Sequence, residues 1–436
     1  MTDPKDVPMS ADKPEKLTVW LLREGEPLPV DEHPRLMRTG LLAEWLRKQG
    51  HEVIWWCSAF EHQSKTYRVR QTETVEIAPG EKLVMLYTGI RYRKNVSPLR
   101  LLYLHSLASG FLKLSRKEKK PDVIIACFPS ISFAGAAVRY GQKHHVPVIV
   151  DVRDRWPDLF VNAFPNLLRP FARTALFPIN LKAKSIFRKA DALTGVQSSI
   201  LSWALCKAGR AAGPLDRPIY IGFDDSLSYS PEETKEALSR WAGLGVTNDT
   251  WNVCFYSTLS SSTIDYAPVF EGAKEIARKH PEFRLVVCGS GDSEEALHAM
   301  SEGRPEIVLP GWCNDLQLRT LLSVGNAGLY PFRNNPFRDA ISNKFVGYLA
   351  AGLPVLTSLQ GLSKTYVEEN GVGTAYQEGN TGSFVQAVEA MITHPGQCDE
   401  AARRARSCFE RDFSLPVVNA QFEDLIGDVL KERGRS

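Results

Sequence analysis

Short apolar and β-branched runs alternate along the chain with segments in which apolar residues recur at helical spacing. Such runs predict β-strands, and the segments between them predict amphipathic helices. The strand candidates are residues 17–22, 53–57, 123–127, 147–150, 192–196, 219–222, 252–256, 284–288, 306–309, 327–330 and 354–357. Strands that alternate with helices in this way indicate an α/β fold with parallel sheets.

The strand candidates form two groups, separated by the polar, turn-forming residues 224–231. Between the strands lie amphipathic stretches, such as the apolar stripe within residues 41–46. We therefore predict two doubly wound, Rossmann-like domains, residues 1–225 and residues 226–402. The remaining segment, residues 403–436, is predicted to form helices that return to the first domain.

Length and charge refine this picture. At about 100–200 residues per domain, the 436 residues correspond to two domains. The 53 basic and 50 acidic residues give a formal charge of +3, which argues against a dedicated nucleic-acid binder, whose domains are usually strongly basic. The two halves differ, because residues 1–225 hold 34 Lys and Arg against 23 Asp and Glu, whereas residues 226–436 hold 19 against 27. We infer that the halves meet different partners.

Cysteine usage and the apolar runs bear on the compartment. None of the eight cysteines forms a CxxC pair and most stand inside apolar runs, so we expect buried, reduced thiols and a cytoplasmic location. Residues 1–16 are polar and lack the apolar stretch of a signal peptide. No run of about 18 apolar residues predicts a transmembrane helix. No metal-ligand spacing is recognisable, so no metal is expected.

Ligands of open α/β sheets bind at the carboxyl ends of the strands, so the residues that follow each strand are the site candidates. Gly289, Ser290 and Gly291 follow a strand and precede a helical segment. The glycines allow close backbone approach, and the helix N-terminus offers free N–H groups to a phosphate. A plain strand-to-helix turn explains the same pattern, and the sequence leaves both interpretations open.

The loop after the fourth strand of the second domain carries the strongest local signal. It contains Arg333, Arg338 and Lys344, and it ends at a helix start marked by Ser342 and Asn343. Cations beside a helix N-terminus suit a diphosphate. The alternative is a solvated surface loop with an ordinary helix cap at Ser342 or Asn343.

Two further strand ends carry polar groups. Asp151, Arg153 and Asp154 end a buried strand, where charges are unfavourable unless they pair or serve a ligand. A structural Asp–Arg pair and a substrate role are both open. Ser257 and Thr258 begin a hydroxyl cluster that can donate hydrogen bonds to phosphate oxygens, although ordinary Ser/Thr turns have the same sequence pattern.

Four segments resemble motifs of the retaining nucleotide-sugar glycosyltransferases with two Rossmann-like domains, the GT-B architecture. They are Arg38-Thr39-Gly40-Leu41-Leu42 with Gly50-His51-Glu52-Val53, Asp151-Val152-Arg153-Asp154-Arg155-Trp156-Pro157-Asp158, Gly289-Ser290-Gly291-Asp292, and Asn343-Lys344 with Tyr348-Leu349-Ala350-Ala351-Gly352-Leu353-Pro354-Val355. The similarity is to family four, and most of all to its bacterial surface-polysaccharide branch. The last segment resembles the family pattern NKxxEYLAAGxPV and is the most specific.

This resemblance implies a function for each domain. The second domain would hold a nucleotide-sugar donor and the first a glycan or lipid-linked acceptor, and the two domains would face a central cleft. The sugar would be transferred with retention of configuration, without a metal or another cofactor. The implied process is bacterial polysaccharide or glycoconjugate biosynthesis.

The resemblance and the strand-end chemistry together give the candidate site residues. The catalytic candidates are Lys344, Asp339, Arg153 and Asp154. The donor-binding candidates are Ser257, Thr258, Gly289, Ser290, Gly291, Gly311, Trp312, Arg333, Arg338, Ser342, Asn343 and Gly347. The acceptor-side candidates are Arg38, Thr39 and Gly40 at the start of the first helix.

Two departures from the family pattern bear on catalysis. The family's two acidic residues, with seven residues between them, fall on Asp339 and Gly347, so the glutamate that usually grips the nucleotide ribose is absent. The family's Arg and Lys–Gly pair is replaced by the hydroxyl residues 257–263. Two other interpretations are therefore open: a catalytically silent binding or partner module, and a nucleotide-sugar epimerase of related fold.

The first domain also carries a basic region. Residues 91–189 contain 19 Lys and Arg against five Asp and Glu. Within them, residues 99–114 and 167–189 combine apolar or aromatic side chains with cations, a pattern that suits an anionic membrane surface. We therefore expect a peripheral position at the inner face of the cell membrane. The alternative is helices that face the core and expose a solvated basic side.

Overall fold

The computed structural model describes residues 16–32, 34–62, 64–94, 97–334 and 341–434. The chain forms two compact units, which are described separately below. Unit 1 contains the residues up to Ile219 and the C-terminal segment from Asn419, and unit 2 is Tyr220–Val418. The sequence predicts the change from the first to the second domain after residue 225 and the return to the first domain at residue 403. In the structure the chain changes unit after Ile219 and again after Val418.

Unit 1 is built on a sheet of eight strands within the described residues. Its strands, together with the small hairpin β3–β4, are β1 (Thr18–Leu22), β2 (Glu52–Ser58), β3 (Phe60–Glu61), β4 (Thr66–Tyr67), β5 (Glu73–Ala78), β6 (Glu81–Leu86), β7 (Val123–Phe128), β8 (Val148–Val152), β9 (Ala192–Gly195) and β10 (Arg217–Pro218). The order is β10-β9-β8-β7-β1-β2-β6-β5, and within this sheet only the β5–β6 pair is antiparallel among the described strands.

Helices cover both faces of this sheet. They are α1 (Arg38–Lys48), α2 (Pro98–Leu114), α3 (Ile131–His144), α4 (Asp158–Ala163), α5 (Arg169–Ala175), α6 (Phe177–Lys189) and α7 (Ser198–Ala208), with short 3₁₀ turns at Ser115–Lys117 and Asn166–Leu168. Adjacent residues of β2 show the two layers, because the Trp56 ring lies 5.0 Å from Phe111 of α2, whereas Trp55 faces Gly40 of α1. Burial on both faces is typical of parallel sheets.

Unit 2 contains a parallel sheet of six strands in the described part of the chain, in the order β13-β12-β11-β14-β15-β16. The strands are β11 (Trp251–Tyr256), β12 (Phe283–Cys288), β13 (Ile307–Gly311), β14 (Ala327–Tyr330), β15 (Val355–Thr357) and β16 (Gly373–Ala375). Val253 and Phe255 belong to one buried cluster, and Cys254 between them belongs to another. The two faces of the sheet therefore have separate cores, as in a doubly wound fold.

The helices of unit 2 begin after the linker that follows Ile219. They are α8 (Pro231–Gly243), α9 (Tyr266–Lys279), α10 (Glu294–Ser301), α11 (Asp315–Ser323), α12 (Asn343–Ala350), α13 (Leu362–Asn370), α14 (Thr381–Thr393) and α15 (Pro395–Asp412). The last helix, α16 (Leu415–Glu432), belongs to both units. Its second half packs on α1, where Trp45 Nε1 donates to Glu423 at 3.1 Å. None of the described helices has the length and apolar character that crossing a membrane requires.

The predicted α/β class with Rossmann-like parallel sheets is confirmed, but one predicted strand is wrong. Residues 219–222 are not a strand, and the preceding residues Arg217–Pro218 form β10 instead. A Cβ atom at Gly222 would lie 2.8 Å from Leu415, so this segment packs on α16 rather than in a sheet. The edge hairpin of β5 and β6 and the short β16 were missed.

Candidate active site

The carboxyl ends of β11 and β14 meet at the switch point of the unit 2 sheet. These are the first and fourth strands of this unit, so the chain order reverses between them, and open α/β sheets bind ligands in the crevice at such a point. The Arg333 amide donates to the carbonyl oxygen of Thr263 at 2.9 Å, and the Asp265 amide donates to that of Pro331 at 3.0 Å. The loops that carry Ser257 and Arg333 are therefore tied together.

Gly289 and Gly291 are required by the loop beside them. Gly289 has a φ of 140°, and a Cβ atom there would collide with the carbonyl oxygen of Ser257. A Cβ atom at Gly291 would collide with the backbone of Leu259, whose amide donates to the Ser290 carbonyl at 2.9 Å. The close contact between the two backbone segments explains why both positions are glycine. It agrees with the interpretation of this segment as a strand-to-helix turn.

Lys344 lies in the first turn of α12, and its ammonium is 5.8 Å from the centre of the Phe332 ring. Burial lowers the pKa of Lys344 below its usual value, and no carboxylate among the described residues offsets this effect. A partly buried cation beside free helix N–H groups favours an anionic ligand. This is the arrangement that a diphosphate site needs.

The cap of α12 contributes a second polar group. Ser342 occupies the N-cap position, but its side chain makes no capping hydrogen bond to the helix. Its hydroxyl oxygen instead accepts a hydrogen bond from the Tyr330 hydroxyl at 2.8 Å. Asn343 is exposed. The first N–H groups of α12 are thus left without the ordinary side-chain cap that the sequence allowed as an alternative.

Arg333 is already paired. Its guanidinium lies 3.0 Å from Asp265 and 3.9 Å from Glu378, and its Nε donates to the Ser261 carbonyl oxygen at 3.0 Å. Because two carboxylates share this charge, Lys344 is the stronger anion-binding candidate. The candidates Arg338 and Asp339 lie outside the described residues.

Three donor-side candidates lie at the ends of β11 and β13. Gly311 ends β13 with a φ of 77°, which glycine adopts without strain. The Trp312 side chain beside it is 70% exposed. Thr258 is also exposed. An exposed tryptophan at a strand end offers a flat apolar surface on which a nucleotide base or a sugar can stack.

Tyr256 fills the space beside Gly347. A Cβ atom at Gly347 would collide with the Tyr256 hydroxyl, whereas its next neighbours, atoms of Phe223, would be at an ordinary 3.6 Å. The hydroxyl donates to the Lys344 carbonyl oxygen at 3.4 Å. Where the family pattern has a glutamate side chain, this protein therefore has the tyrosine hydroxyl of a neighbouring strand.

In unit 1, Arg38 and Arg153 belong to one buried ionic network. Both guanidinium groups contact Asp151, at 3.0 and 2.8 Å, and Arg153 also pairs with Glu26. Burial acts to raise the pKa of Asp151, but the two guanidinium groups outweigh it and hold the pKa well below its usual value. Thr39 donates to Glu26 at 3.0 Å. This is the structural pairing that the sequence left open, and it positions the loop after β1.

Gly40 is also committed to packing. A Cβ atom there would lie 3.1 Å from Leu36 and 3.3 Å from Trp55, closer than ordinary van der Waals contact. The Arg38 guanidinium stacks on Phe422 of α16 at 4.6 Å and donates to the Ile219 carbonyl oxygen at 2.9 Å. The side chains of the acceptor-side candidates Arg38 and Thr39 are thus engaged in contacts within unit 1 that stabilise its fold.

A cavity of about 320 Å³ lies at the switch point of the unit 1 sheet, where β1 and β7 end. The residues that line it are Arg23, Glu24, Gly25, His62, Tyr92, Arg100, Tyr103, Leu104, Pro129, Asp154, Trp156 and Phe160. The Oε2 atom of Glu24 and the Nε atom of Arg23 are buried and make no hydrogen bond among the described residues, although Arg23 Nε also lies 3.5 Å from the Glu26 carboxylate as an ion pair. Such atoms stabilise a polar ligand by hydrogen bonding, because leaving them unpaired is unfavourable. We call this the β1/β7 pocket.

The β1/β7 pocket combines polar groups with an aromatic wall. The Trp156 and Phe160 rings lie 4.4 Å apart, and the Arg100 guanidinium is 5.2 Å from the Trp156 ring. His62 Nδ1 and the Tyr92 hydroxyl are 2.6 Å apart. Aromatic faces beside charged hydrogen-bonding groups suit a sugar, which presents both C–H faces and hydroxyls.

Two titratable groups of the pocket have shifted pKa values. Burial raises the pKa of Asp154 above its usual value. Burial, together with the charges of Lys65 and Arg100, lowers the pKa of His62. Both shifts favour the neutral form of the group. Of the candidates Arg153 and Asp154, only Asp154 lines the pocket.

The sequence did not single out most of the pocket residues. Arg23 and Glu24 directly follow the first strand, so the rule on strand ends pointed to them. His62, Tyr92 and Arg100 come from the β3–β4 hairpin, the segment after β6 and the start of α2. They carry no shared motif, and only the folded chain brings them together.

The chain matches known families over both units. Residues 38–214 match the family described as Glycosyltransferase Family 4. Residues 253–394 match the family described as Glycosyl transferases group 1. No curated protein sequence matches the chain.

Solved structures share the fold at low identity. Sucrose-phosphate synthase from Thermosynechococcus elongatus aligns with a TM-score of 0.68 and 15% identity, covering 96% of this chain and 100% of that chain. HepE from Anabaena, solved in complex with UDP, aligns with a TM-score of 0.64 and 14% identity, covering 94% and 100%. The α,α-trehalose 6-phosphate synthase from Burkholderia multivorans aligns with a TM-score of 0.64 and 13% identity, covering 96% and 99%.

These likenesses establish the fold as GT-B, with two Rossmann-like domains. The two family matches together make up well over half of the chain. The two family matches and the shared fold together support a glycosyltransferase of the GT-B fold.

Proposed function

We propose that the protein transfers a sugar from a nucleotide-sugar donor to a glycan or lipid-linked acceptor. The observation that carries the proposal is the Lys344 ammonium, which is partly buried at the start of α12 without a carboxylate partner among the described residues. The match of residues 253–394 to group 1 glycosyltransferases supports it, as does the UDP complex of HepE.

Lys344 and the N–H groups of α12 would bind the diphosphate of the donor. As the bond to the anomeric carbon breaks, the departing nucleoside diphosphate gains negative charge, and a fixed cation stabilises that charge more in the transition state than in the ground state. Ser257, the Gly289–Gly291 turn and Trp312 would complete the donor site. Arg338, as a donor-binding residue, and Asp339, as a catalytic residue, remain part of the proposed donor site.

The acceptor would bind in the β1/β7 pocket. Its aromatic wall of Trp156 and Phe160 would stack on a sugar ring, and Arg23 and Glu24 would hydrogen-bond its hydroxyls. Asp154 lines the same pocket and would orient the reacting hydroxyl. Arg153 would act as a positioning residue, because its guanidinium holds Glu26 and Asp151 rather than the cavity.

We further propose that transfer retains the anomeric configuration and needs no metal, and that it belongs to bacterial polysaccharide or glycoconjugate synthesis. The cations of unit 2 would take the place of a metal at the diphosphate. The protein would work in the cytoplasm, at the inner face of the cell membrane. Full activity in the presence of EDTA is expected, and its loss would contradict the metal-independent mechanism.

The experiment that tests the proposal is a thermal-shift screen with UDP, ADP, GDP and their glucose derivatives, repeated on Lys344→Met. We expect one nucleotide to raise the melting temperature of the wild type and, at the same concentration, to raise that of the variant distinctly less. The selected nucleotide sugar is then incubated with the protein, and the released nucleoside diphosphate is measured. No shift with any nucleotide would contradict donor binding. A shift without any turnover would favour the catalytically silent module, an interpretation that Gly347 supports.

A further inference from the structure

Large apolar side chains are exposed on one part of unit 1. The residues concerned are Leu99, Leu101, Leu102, Phe164, Leu167, Leu168, Phe171, Phe177 and Leu181. Leu167 is 84% exposed and Phe171 is 74% exposed. None of the residues of α5 is buried. We call these nine residues, with α5 at their centre, the α2/α5 surface. A concentration of exposed apolar side chains marks an interaction site, whereas scattered single ones do not.

The elements that carry this surface lie next to each other. Helices α2 and α6 both pack on α3, and Lys182 of α6 donates to Ser132 of α3 at 3.1 Å. At the start of α2, Arg100 lies over the Trp156 ring, just before α4. The exposed apolar residues of α2 and of the α4–α6 region therefore belong to one helical layer of unit 1.

The charge around the α2/α5 surface has one sign. The sequence contains no acidic residue between Glu81 and Glu118, and none between Asp158 and Asp191. Exposed cations accompany the apolar residues in both stretches: Arg91, Arg93, Lys94, Lys113, Arg116, Lys117, Arg173, Lys184, Arg188 and Lys189. Apolar side chains that project among cations complement a bilayer with anionic head groups, because the rings and leucines enter the interface while the cations stay at the lipid phosphates.

We propose that the α2/α5 surface docks on a bilayer of anionic phospholipid. A second copy of this chain fits less well, since it would bring cations against cations. The same elements line the β1/β7 pocket: Arg100, Tyr103 and Leu104 face the cavity, whereas Leu101 and Leu102 of the same helix face outward. Docking thus brings the helix that forms one wall of the pocket against the lipid head groups. If the pocket holds the acceptor, which rests on the function proposed above, the acceptor is a sugar carried on a membrane lipid.

The test is sedimentation of the full chain with vesicles of phosphatidylcholine alone and of phosphatidylcholine with phosphatidylglycerol. The wild type is expected to sediment with the anionic vesicles and to be released by high salt. Leu167→Ser/Phe171→Ser removes two exposed apolar side chains that are not among the residues lining the pocket, and we expect at least about a tenfold weaker partition. The matched control is Leu227→Ser, since Leu227 is exposed to 52% but lies in unit 2.

Melting temperature and nucleotide binding without vesicles are measured on every variant. These two measurements separate this proposal from the proposed function. The double variant is expected to keep its melting temperature and its nucleotide binding but to lose its binding to vesicles. Arg173→Glu, a second variant, is expected to weaken partition without a change in fold. Equal sedimentation of the wild type and the double variant, no sedimentation of the wild type, or concentration-dependent dimers through this surface would each overturn the proposal. Loss of nucleotide binding alone would contradict the proposed function and leave the surface intact.

Discussion

The Tyr256 hydroxyl lies against Gly347, in the space where the side chain of any other residue at position 347 would begin. Tyr256 ends β11, and Gly347 lies one turn into α12, so the contact joins the two elements that flank the proposed diphosphate site. The same hydroxyl donates to the Lys344 carbonyl oxygen. The glycine and the tyrosine thus form a pair, and the space beside position 347 is occupied by the tyrosine hydroxyl instead of a side chain at 347 itself.

Gly347→Ala is expected to lower the free energy of unfolding of unit 2. The added Cβ collides with the Tyr256 hydroxyl, and overpacking of this kind costs about 1–3 kcal/mol. In a Tyr256→Phe background the hydroxyl is gone, and the sign should reverse, because alanine is about 1 kcal/mol more favourable than glycine inside a helix. Urea denaturation of the four proteins in this double-mutant cycle measures the effect. Equal destabilisation by Gly347→Ala in both backgrounds would show that the hydroxyl is not the cause.

Lys344→Met is expected to weaken binding of the nucleoside diphosphate by about ten- to a hundredfold, which corresponds to about 1.5–3 kcal/mol for a hydrogen bond to a charged group. Lys344→Arg keeps the charge and should retain most of the affinity. Isothermal titration calorimetry of the wild type and both variants checks this. Equal affinity of the wild type and Lys344→Met would remove Lys344 from the donor site.

The pH dependence of the same binding has a definite sign. Burial lowers the pKa of Lys344 in the free protein, and a bound diphosphate favours the charged form and raises that pKa again. Binding therefore takes up a proton at alkaline pH, and the wild-type affinity should fall as the pH rises above the free-state pKa. Lys344→Met should show no such fall over this range, so parallel profiles for the two proteins would contradict the assignment.

The fold was largely predictable from sequence, because strand ends and helix stripes are local patterns. β7 and β14 are continuous apolar runs and β12 is apolar except for Arg284, and each was recognised within about a residue. The edge strand β5 was missed, since its polar, solvent-facing residues give only a weak signal. Strand β6, which lies between β2 and β5 and is mostly buried, was missed as well. The segment at 219–222 was wrong because its apolar residues pack on α16, a contact between positions far apart in the chain.

The site was predictable only in part. Lys344 and Ser342 could be recognised because a cation and a hydroxyl at a helix start have a local signature. The need for glycine at positions 289 and 291 could not be predicted from local sequence. It arises because the backbone of residues 257–259 lies too close for a Cβ atom. The β1/β7 pocket as a whole had no motif, because only Asp154 and Trp156 belong to a recognised segment, whereas Glu24 and Tyr92 come from separate elements.

Asp151→Asn is expected to destabilise unit 1 by about 3–5 kcal/mol, because it removes the buried carboxylate charge that the Arg38 and Arg153 guanidinium groups share. The folded-state pKa values of Asp151 and Glu26 are lowered. Their contribution to stability is therefore present above their unfolded pKa values, near pH 4, and is lost as the pH falls. The wild type should lose stability progressively as the pH falls below about 5 and on through the lowered folded-state pKa values, and the variant should lose less.

The measurement is urea denaturation followed by tryptophan fluorescence, in which Trp20, Trp55 and Trp56 report on unit 1. Asp249→Asn is a suitable control, since Asp249 is an exposed aspartate of unit 2. A pH profile for Asp151→Asn as steep as that of the wild type would assign the acid sensitivity to other groups.

Trp156→Ala is expected to raise the KM for the acceptor by about three- to tenfold, which corresponds to about 0.5–1.5 kcal/mol for an aromatic contact. The affinity for the nucleotide should not change, because the ring lines only the pocket of unit 1. Steady-state transfer, with the donor held constant and the acceptor varied, separates the two effects. A change in donor affinity of the same size would contradict the assignment of this pocket to the acceptor.

Asp154→Asn tests whether the carboxylate orients the reacting hydroxyl. Burial raises the pKa of Asp154 above its usual value, and only the ionised form accepts a hydrogen bond with both oxygens. The wild-type transfer rate should therefore rise with pH through this raised pKa, and the variant should be slower and lack that rise. Arg155→Lys serves as a control, because it keeps the neighbouring positive charge. A wild-type profile that persists in Asp154→Asn would place the titrating group elsewhere, and an unchanged rate would leave Asp154 without a function in transfer.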